Sequence, residues 1–359
     1  MIHYSQLNNN DMKVKSRVLG RLVNGVLIML LFLFLGICKS FAQSGFSYLK
    51  NAGSEIRTAE NVNTEARAEA VHANINSPYQ EIKPALAPCG KKLFFSRLNS
   101  PLNTSGENDQ EDIWYSEFVT KSNAWSEPIR MTGDLNNAGP NFVNSVSQTG
   151  DTIILGNQYL KKGRMRDGLS YSVNVNGQWS FPQPIIIKGD YNISNHANHY
   201  VSLKSGIIVS SVERNDSRGE RDLYISMWDG TSATEPVNMG SVINTQFEES
   251  SPFLSDDMKT LYFASKGHNG YGGYDIYVTE RLDESWTNWT KPKNLGPAVN
   301  GTMNDEFFSI SYCGNYAIFS KQISIHNVDL YKISMEKLFN QPNNEIIPIK
   351  HDPSALAGL

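Results

Sequence analysis

The chain has 359 residues, of which 40% are hydrophobic and 19% charged, and its formal net charge is −4. This composition excludes a disordered polar tail and a membrane protein with several spans, and the length leaves room for one large domain or two ordinary ones. The slightly acidic balance argues against nucleic acid as a partner, because binding to phosphates requires a basic surface. The 16 Tyr and 16 Phe favour strands over helices, so the composition predicts an all-β protein.

The first 42 residues have the pattern of an export signal. Four basic residues at 13–21 precede an uncharged apolar run at 26–37, which is too short to span a bilayer comfortably. The small side chains of Ser40 and Ala42 predict cleavage after Ala42, and the alternatives are a lipoprotein cleavage box at Cys38 and an uncleaved anchor. Cleavage would change the formal net charge from −4 to −8. The sequence therefore predicts an exported protein without a transmembrane span once the signal is removed.

Residues 43–77 form an arm in which charged residues alternate with small and polar ones and large apolar residues are few. Such a segment is expected to be partly ordered. Its 35 residues are fewer than one copy of the repeat that follows, but they could donate a strand to the last copy.

A repeat with a period of roughly 54 residues fills the segment 78–346, and a short tail of residues 347–359 follows it. Three kinds of anchor recur in five copies: a turn residue, an aspartate that opens a strand, and a proline after the last strand. The anchors are Gly90, Gly150, Gly206, Met258 and Gly314; Asp112, Asp167, Asp222, Asp275 and Asp329; and Pro128, Pro182, Pro236, Pro292 and Pro342. Short aromatic and β-branched strands lie between Gly/Asn/Asp loops in each copy. Four short antiparallel strands per copy predict a five-bladed β-propeller, with six blades as the alternative.

The fullest copy begins at Glu249 and combines Glu-x-x-Pro, a turn, Leu-Tyr-Phe-Ala-Ser and Gly-Gly-Tyr-Asp-Ile-Tyr. Residues 81–115 match it closely, and the other three copies match more loosely. The pattern resembles the WD-like repeat of TolB-type β-propellers of the bacterial envelope. This resemblance implies a protein of the periplasm or outer membrane that docks protein partners on one face or at the channel mouth, without a cofactor. It specifies a fold better than a function.

The two cysteines after the signal, Cys89 and Cys313, precede the turn glycines of the first and last copies. These copies are neighbours in a closed five-bladed ring. A disulfide could therefore join them near the narrow inner end of the blades, in an oxidising compartment. The alternative is two small buried residues beside tight turns.

Carboxylates head the first strand of three copies, as Glu81, as Glu248 or Glu249, and as Asp305 or Glu306. First strands lead toward the propeller axis, so Glu81, Glu249 and Glu306 are candidate catalytic residues of a glycoside hydrolase, which uses two carboxylates around the scissile bond. The repeat pattern explains the same glutamates without catalysis.

Four further residues are candidate binding residues because they depart from the repeat: His196, His199, Trp228 and Trp286. The two histidines lack a nearby Cys or carboxylate, so no metal site is predicted. The two tryptophans lie beside polar loops, where they could stack on a sugar or contact a partner.

These features favour a binding or scaffold module of the envelope with a protein partner over an enzyme. The loops between the second and third strands are long, polar and of mixed charge, which suits recognition of a protein. The alternative is a glycan-binding or glycoside-hydrolase-type propeller that uses carboxylates at the channel mouth. In either case we expect an exported protein, held in the envelope or secreted, and we expect neither a cofactor nor nucleic acid as a ligand.

Overall fold

The structure is a computed structural model and describes residues 56–339, apart from residues 57, 60, 88 and 89. The predicted export signal with Cys38, the residue Cys89 and the C-terminal tail lie outside the described residues. The described residues form short strands and one α-helix, α1 (Met335–Phe339). None of their helices combines the length and the apolar character needed to cross a membrane.

The strands form five small sheets that follow one another along the chain. The first blade contains β2 (Gln80–Leu86), β3 (Lys92–Leu98), β4 (Asp112–Val119), β5 (Ala124–Trp125) and β6 (Ile129–Arg130). The second contains β7 (Val143–Val146), β8 (Thr152–Leu160), β9 (Arg164–Val175), β10 (Gln178–Trp179) and β11 (Gln183–Ile187). The third contains β12 (Asn198–Ser202), β13 (Ile207–Val212), β14 (Asp222–Met227) and β16 (Val237–Asn238), whereas β15 (Ser232–Ala233) pairs in parallel with β11 and joins the sheet of the second blade. The fourth contains β17 (Glu249–Leu254), β18 (Thr260–Ser265), β19 (Asp275–Glu280) and β20 (Lys293–Asn294). The fifth contains β21 (Asp305–Ile310), β22 (Tyr316–Ser324), β23 (Asn327–Ser334) and β1 (Glu69–Ala70).

The inner strands close a ring around a central channel. Strands β2, β7, β12, β17 and β21 contact one another in this order, and β21 returns to contact β2. Strands within a blade pair in antiparallel fashion from the channel outward. The predicted five-bladed propeller is confirmed, and the alternative of six blades is wrong.

The N-terminal arm supplies the outer strand of the last blade, as the sequence suggested. Glu69 lies opposite Lys332 and Ala70 opposite Tyr331 in the antiparallel pair of β1 and β23. The Asn76 side chain accepts a hydrogen bond from the backbone N–H of Leu330 at 2.9 Å and donates one to its carbonyl at 3.0 Å. The arm thereby ties the fifth blade to the start of the first.

Each interface between neighbouring blades contains its own hydrophobic cluster. The tryptophans Trp125, Trp179 and Trp289 pack into three of these clusters. Trp179 of the second blade, for example, lies edge-on to Phe94 of the first, with ring centroids 6.3 Å apart. The excess of aromatic residues is thus explained by packing between blades.

A bulge interrupts the first strand of four blades, which bends the strand where it faces the channel, and in three of them the bulged residue has a positive φ. The register shifts between Ile82 and Ala85 in β2, and at the corresponding places in β17 and β21. The bulged residues Lys83, Ser251 and Phe307 have φ of 54°, 50° and 57°. All three line the channel, so the bulges decide which side chains a ligand in the channel would meet.

Candidate functional site

The first strand of every blade begins at the same end of the channel, and we call this end the mouth. The loops between the second and third strands surround it. The carboxyl-terminal ends of the first strands lie at the opposite end. This distinction matters because first-strand acids at the mouth were the catalytic candidates of the sequence.

Two of the three predicted catalytic residues are fully buried and bind the loop that precedes their own strand. Glu81 accepts hydrogen bonds from the backbone N–H of Ser77 at 3.0 Å and from Arg97 Nε at 2.7 Å. Glu249 accepts one from the backbone N–H of Thr245 at 2.8 Å. The role of Glu81 and Glu249 in holding loops explains their recurrence without catalysis.

Asp305 has the same arrangement in the fifth blade, with Gly301 N–H at 2.6 Å and Lys321 Nζ at 2.9 Å. Asn141 takes the place of the acid in the second blade and accepts from Asn137 N–H at 2.7 Å. Four blades therefore use the same side-chain-to-loop contact, which is a property of the fold.

Burial changes the protonation of these acids. It raises the pKa of Glu81 although Ser77 and Arg97 oppose it. It raises the pKa of Glu249 to about 7, against the hydrogen bonds from Thr245 and Ser265. A carboxyl group with no exposed surface and a raised pKa is suited to a structural role.

A different acid, Glu248, lies in an ionic network at the mouth. It accepts hydrogen bonds from Arg221 Nε at 3.2 Å and from the Tyr274 hydroxyl at 2.6 Å, and it forms a short ion pair with Lys266. Burial alone would raise the pKa of Glu248, but the hydrogen bonds from Lys266 and Tyr274 and the charge of Arg221 lower it to about 2. Glu248 is therefore ionised across the physiological range.

Glu306, the third predicted catalytic residue, also lies at the mouth. Its Oε1 is 3.3 Å from the hydroxyls of both Ser250 and Ser251, which donate to it, and its side chain is partly exposed. Burial raises the pKa of Glu306 more than Arg221, the two serines and Lys266 lower it. Glu306 thus favours the protonated state more than an ordinary glutamate does.

Glu248 directly precedes β17 of the fourth blade, Glu306 lies in β21 of the fifth, and the two share the same cations. The charges of Arg221 and Lys266 act on both carboxyl groups. The pKa values of the two carboxyls nevertheless move in opposite directions. Such a split is the arrangement by which a site obtains one acid and one base from two carboxyl groups.

Across the mouth, Lys83 connects the first two blades. Its Nζ lies 2.6 Å from Glu111 Oε1 and 3.5 Å from the centre of the Phe142 ring. The mouth is therefore lined by paired charges, hydroxyl groups and aromatic faces rather than by one sign of charge.

The structure separates the two predicted histidines. His196 is exposed on the loop before β12, whereas His199 is buried and lines the channel. The Nδ1 atom of His199 is 2.9 Å from Ser210 Oγ, and burial lowers its pKa to about 4. Among the described residues, no group of His, Cys, Asp and Glu side chains is arranged to hold a metal ion. Ligand binding by either histidine stays a prediction.

The two predicted tryptophans pack against the protein. Trp286 is 7% exposed, and the Arg281 guanidinium lies 4.2 Å from its ring centre. Trp228 is partly buried in the cluster between the second and third blades, 6.3 Å from Tyr171 between ring centroids. Packing accounts for both positions, and a role in binding stays a prediction.

Cys313 has a free, exposed thiol in this structure. Its predicted partner Cys89 lies outside the described residues, so the proposed disulfide stays a prediction. The adjoining turns do meet, because the Tyr316 hydroxyl donates to the carbonyl of Gly90 at 3.4 Å.

The opposite end of the channel opens into a cavity of about 940 Å³, lined by residues that include Tyr200, Phe253 and Lys204. Its acids all come from the fourth blade: Asp256 and Asp257 lie in the turn after β17, and Glu280 ends β19. Asp257 accepts hydrogen bonds from the backbone N–H groups of Lys259 and Thr260. At the mouth, carboxyl groups from two different blades share the cations Arg221 and Lys266, and we therefore regard the mouth as the candidate functional site.

No protein-family model matches this sequence, and no curated protein matches it. Solved structures share its fold. A structure described as a complex of BT0996 and RGII is 10% identical, with 79% of this protein and 93% of that one covered and a TM-score of 0.51. A protein described as a glycoside hydrolase is 10% identical, with 76% and 92% covered and a TM-score of 0.50. A protein assigned as TolB from Agrobacterium tumefaciens is 14% identical, with 73% and 79% covered and a TM-score of 0.41.

At these identities the likeness shows the propeller fold alone. The resemblance to TolB-type repeats implied a propeller, which is the fold observed, and the repeat type itself stays a prediction. The protein partner and the location in the envelope also stay predictions.

Proposed function

We propose that this protein binds a glycan at the channel mouth and hydrolyses a glycosidic bond there, with Glu306 as the proton donor and Glu248 as the ionised carboxylate. The observation that carries this proposal is the placement of two carboxyl groups from neighbouring blades at the mouth, Glu248 held by Arg221, Lys266 and Tyr274 and Glu306 held by two serine hydroxyls. The opposite shifts of their pKa values agree with this assignment. It develops the glycoside-hydrolase alternative of the sequence and moves it from Glu81 and Glu249 to Glu248 and Glu306.

The chemistry requires one carboxyl group in each state. Protonated Glu306 gives its proton to the glycosidic oxygen as the bond to the anomeric carbon breaks. Glu248 either removes a proton from an attacking water or attacks the anomeric carbon itself, and water then releases the sugar. In both routes one water molecule is consumed, and cleavage of the glycosidic bond leaves a hydroxyl group on each of the two sugars.

The surrounding residues support this assignment. Arg221, Lys266 and Tyr274 hold both oxygens of Glu248, so that it stays charged. Lys266 is also 41% exposed at its side chain, which leaves it accessible to a ligand hydroxyl. Fixed donors and acceptors of both kinds suit the hydroxyl groups of a sugar, because every such group both donates and accepts.

The test is release of reducing ends from a panel of neutral and acidic polysaccharides by the purified protein. We expect Glu306→Gln and Glu248→Gln to lower the rate by about 100-fold or more, because general acid–base catalysis contributes at least that factor. Glu336→Gln, which changes an exposed acid on α1, serves as the matched control and retains the wild-type rate.

Binding is measured on the same panel. Binding of a glycan without release of reducing ends by the wild type would contradict hydrolysis and leave a glycan-binding function. If the wild type binds no glycan of the panel and cleaves none of them, the proposal is overturned.

A further inference from the structure

The second blade departs from the first, third and fourth blades at the mouth. In the first, third and fourth blades a loop joins the second strand to the third, and an aspartate at the start of the third strand binds the backbone of this loop. In the second blade, β8 and β9 instead continue into a hairpin that closes through the pair Leu160 and Arg164. We call residues 161–166 the basic hairpin.

The basic hairpin has four cationic side chains, all exposed: Lys161, Lys162, Arg164 and Arg166. Among the ion pairs of the described residues, none includes Lys161, Lys162 or Arg164. This concentration of positive charge occurs in a protein whose formal net charge is −4. The charge is therefore local, and its unpaired members are open to an anionic ligand.

The hairpin is fixed at its base. Met165 is partly buried against the cluster between the first two blades, and its Sδ lies 3.5 Å from Asn141 Nδ2. Arg166 donates from Nε to Gln158 Oε1 at 2.8 Å. Lys162 and Gly163 complete the turn with φ of 65° and 67°. The cations are consequently displayed on a positioned support, which reduces the entropy lost when a ligand binds.

Hairpin architecture alone does not require these charges. The fifth blade also extends its second and third strands into a hairpin, and there the exposed side chains near the tip include Ile323 and Ile325. Both hairpins continue the second and third strands of their blades, and their exposed side chains differ in chemistry. The basic tip of the second blade is thus a property of its sequence that packing does not explain.

The position of the hairpin relates it to the carboxyl pair. The end of β8 occupies the same place in the second blade as the end of β18 does in the fourth. The chain continues from the end of β18 to Lys266 at the mouth. In a ring of five, the fourth and fifth blades stand across the channel from the second. A polymer over Glu248 and Glu306 that extends across the mouth would therefore meet the basic hairpin.

We infer that the ligand is an acidic polysaccharide bearing carboxylate or sulfate groups, and that Lys161, Lys162 and Arg164 bind an anionic residue away from the scissile bond. This inference rests on the proposed function and specifies its substrate class. Arg can pair with a carboxylate or sulfate through two hydrogen bonds, and the two lysines add point charges.

The experiment measures binding of the purified protein to sodium polygalacturonate, a sulfated galactan, a neutral arabinan and duplex DNA over a range of salt concentrations. The carboxylated and sulfated polymers distinguish the two sources of negative charge. We expect one acidic glycan to bind at least about tenfold more tightly than the neutral glycan at low salt, with affinity falling as salt rises.

The variant Lys161→Ala/Lys162→Ala/Arg164→Ala should weaken binding of the acidic glycan by about tenfold and reduce its salt dependence. A charge-preserving variant, Lys161→Arg/Lys162→Arg/Arg164→Lys, should retain most of the affinity. The matched control removes three exposed lysines, Lys91, Lys121 and Lys337, and should bind within about twofold of the wild type.

Three results would overturn the inference: equal binding of neutral and acidic glycans, equal loss in the test and control variants, or tighter binding of duplex DNA than of either acidic glycan. If neutral glycans are bound and cleaved as well as acidic ones, the proposed function stands and only the substrate class fails. If the wild type binds and cleaves no glycan, the proposed function itself fails.

Discussion

Glu248 and Glu249 are neighbours in the sequence, but their carboxyl groups lie in opposite environments. Glu249 is fully buried and bonded to the preceding loop through Thr245, whereas Glu248 lies at the mouth with Arg221 and Lys266. Successive side chains of an extended strand point in opposite directions, which separates the two groups. The same step separates Asp305 from Glu306. One member of each pair stabilises the fold, and the other faces the candidate site.

The burial of Glu249 makes stability depend on pH. Its pKa is raised to about 7 in the folded protein, so the folded state binds the proton more tightly than the unfolded state. This contribution is fully present below pH 4.5 and is lost as pH rises through about 7. Between pH 5 and pH 8 we expect it to lower the free energy of unfolding by about 2–3 kcal/mol.

Urea unfolding at pH 5 and pH 8 checks this prediction. Glu249→Gln should remove that part of the pH dependence, and Glu336→Gln, which changes an exposed acid, should keep it. The comparison between variants cancels the contributions of other groups, such as His199, whose lowered pKa acts in the opposite direction. An unchanged difference between the two pH values in Glu249→Gln would contradict the assignment.

The pH dependence of turnover tests the roles of Glu248 and Glu306. Glu248 must be ionised, and its pKa of about 2 predicts activity that persists well into the acidic range. Glu306 must be protonated, so activity should fall as pH rises through its raised pKa. Tyr274→Phe removes one hydrogen bond to Glu248 and should move the acidic limb of kcat toward higher pH. A shift of the alkaline limb alone would reverse the two assignments.

The fold was predictable because its pattern occurs five times. A single copy with a glycine turn and an opening aspartate would be ambiguous, but five copies with one spacing leave few architectures. The strand donated by the arm was predictable only as an option, since β1 contains two residues, Glu69 and Ala70, with no strand pattern of their own. Its pairing depends on contacts with Leu330, which is distant in the sequence.

The candidate site was predictable only in part. The sequence placed acids at the heads of first strands but left Glu248 and Glu249 as alternatives, because the direction of each side chain depends on the bulge and on the neighbouring blade. Arg221, Lys266 and Tyr274 gave no signal along the sequence, since they come from two blades. Their charges and hydroxyl group determine the state of Glu248. The basic residues at 161–166 lie close together in the sequence, but the sequence indicated only a long polar loop of mixed charge there.

The buried pair of Arg97 and Glu81 should be important for stability. Arg97 Nε lies 2.7 Å from the carboxylate, and neither side chain is exposed by more than 8%. Arg97→Ala would leave Glu81 buried without its cation, and we expect a loss of about 3–5 kcal/mol in the free energy of unfolding. Lys92→Ala on the same strand is the control, because its pair with Glu117 is exposed and is worth about 0–1 kcal/mol. Equal losses in urea unfolding would contradict this view.

The contact between Asn76 and Leu330 should control closure of the ring. Asn76→Ala removes the acceptor of the Leu330 N–H and a donor to its carbonyl, at the point where the arm joins the fifth blade. Because both backbone groups lose a partner in a partly buried site, we expect the free energy of unfolding to fall by about 1–3 kcal/mol. Hydrogen exchange should increase first in β23, which carries the affected pairing. Asn61→Ala, at an exposed position of the same arm, should change stability by less than about 0.5 kcal/mol. An equal increase of exchange in all five blades would contradict this prediction. It would mean that the ring unfolds as one unit and does not open first where the arm joins the fifth blade.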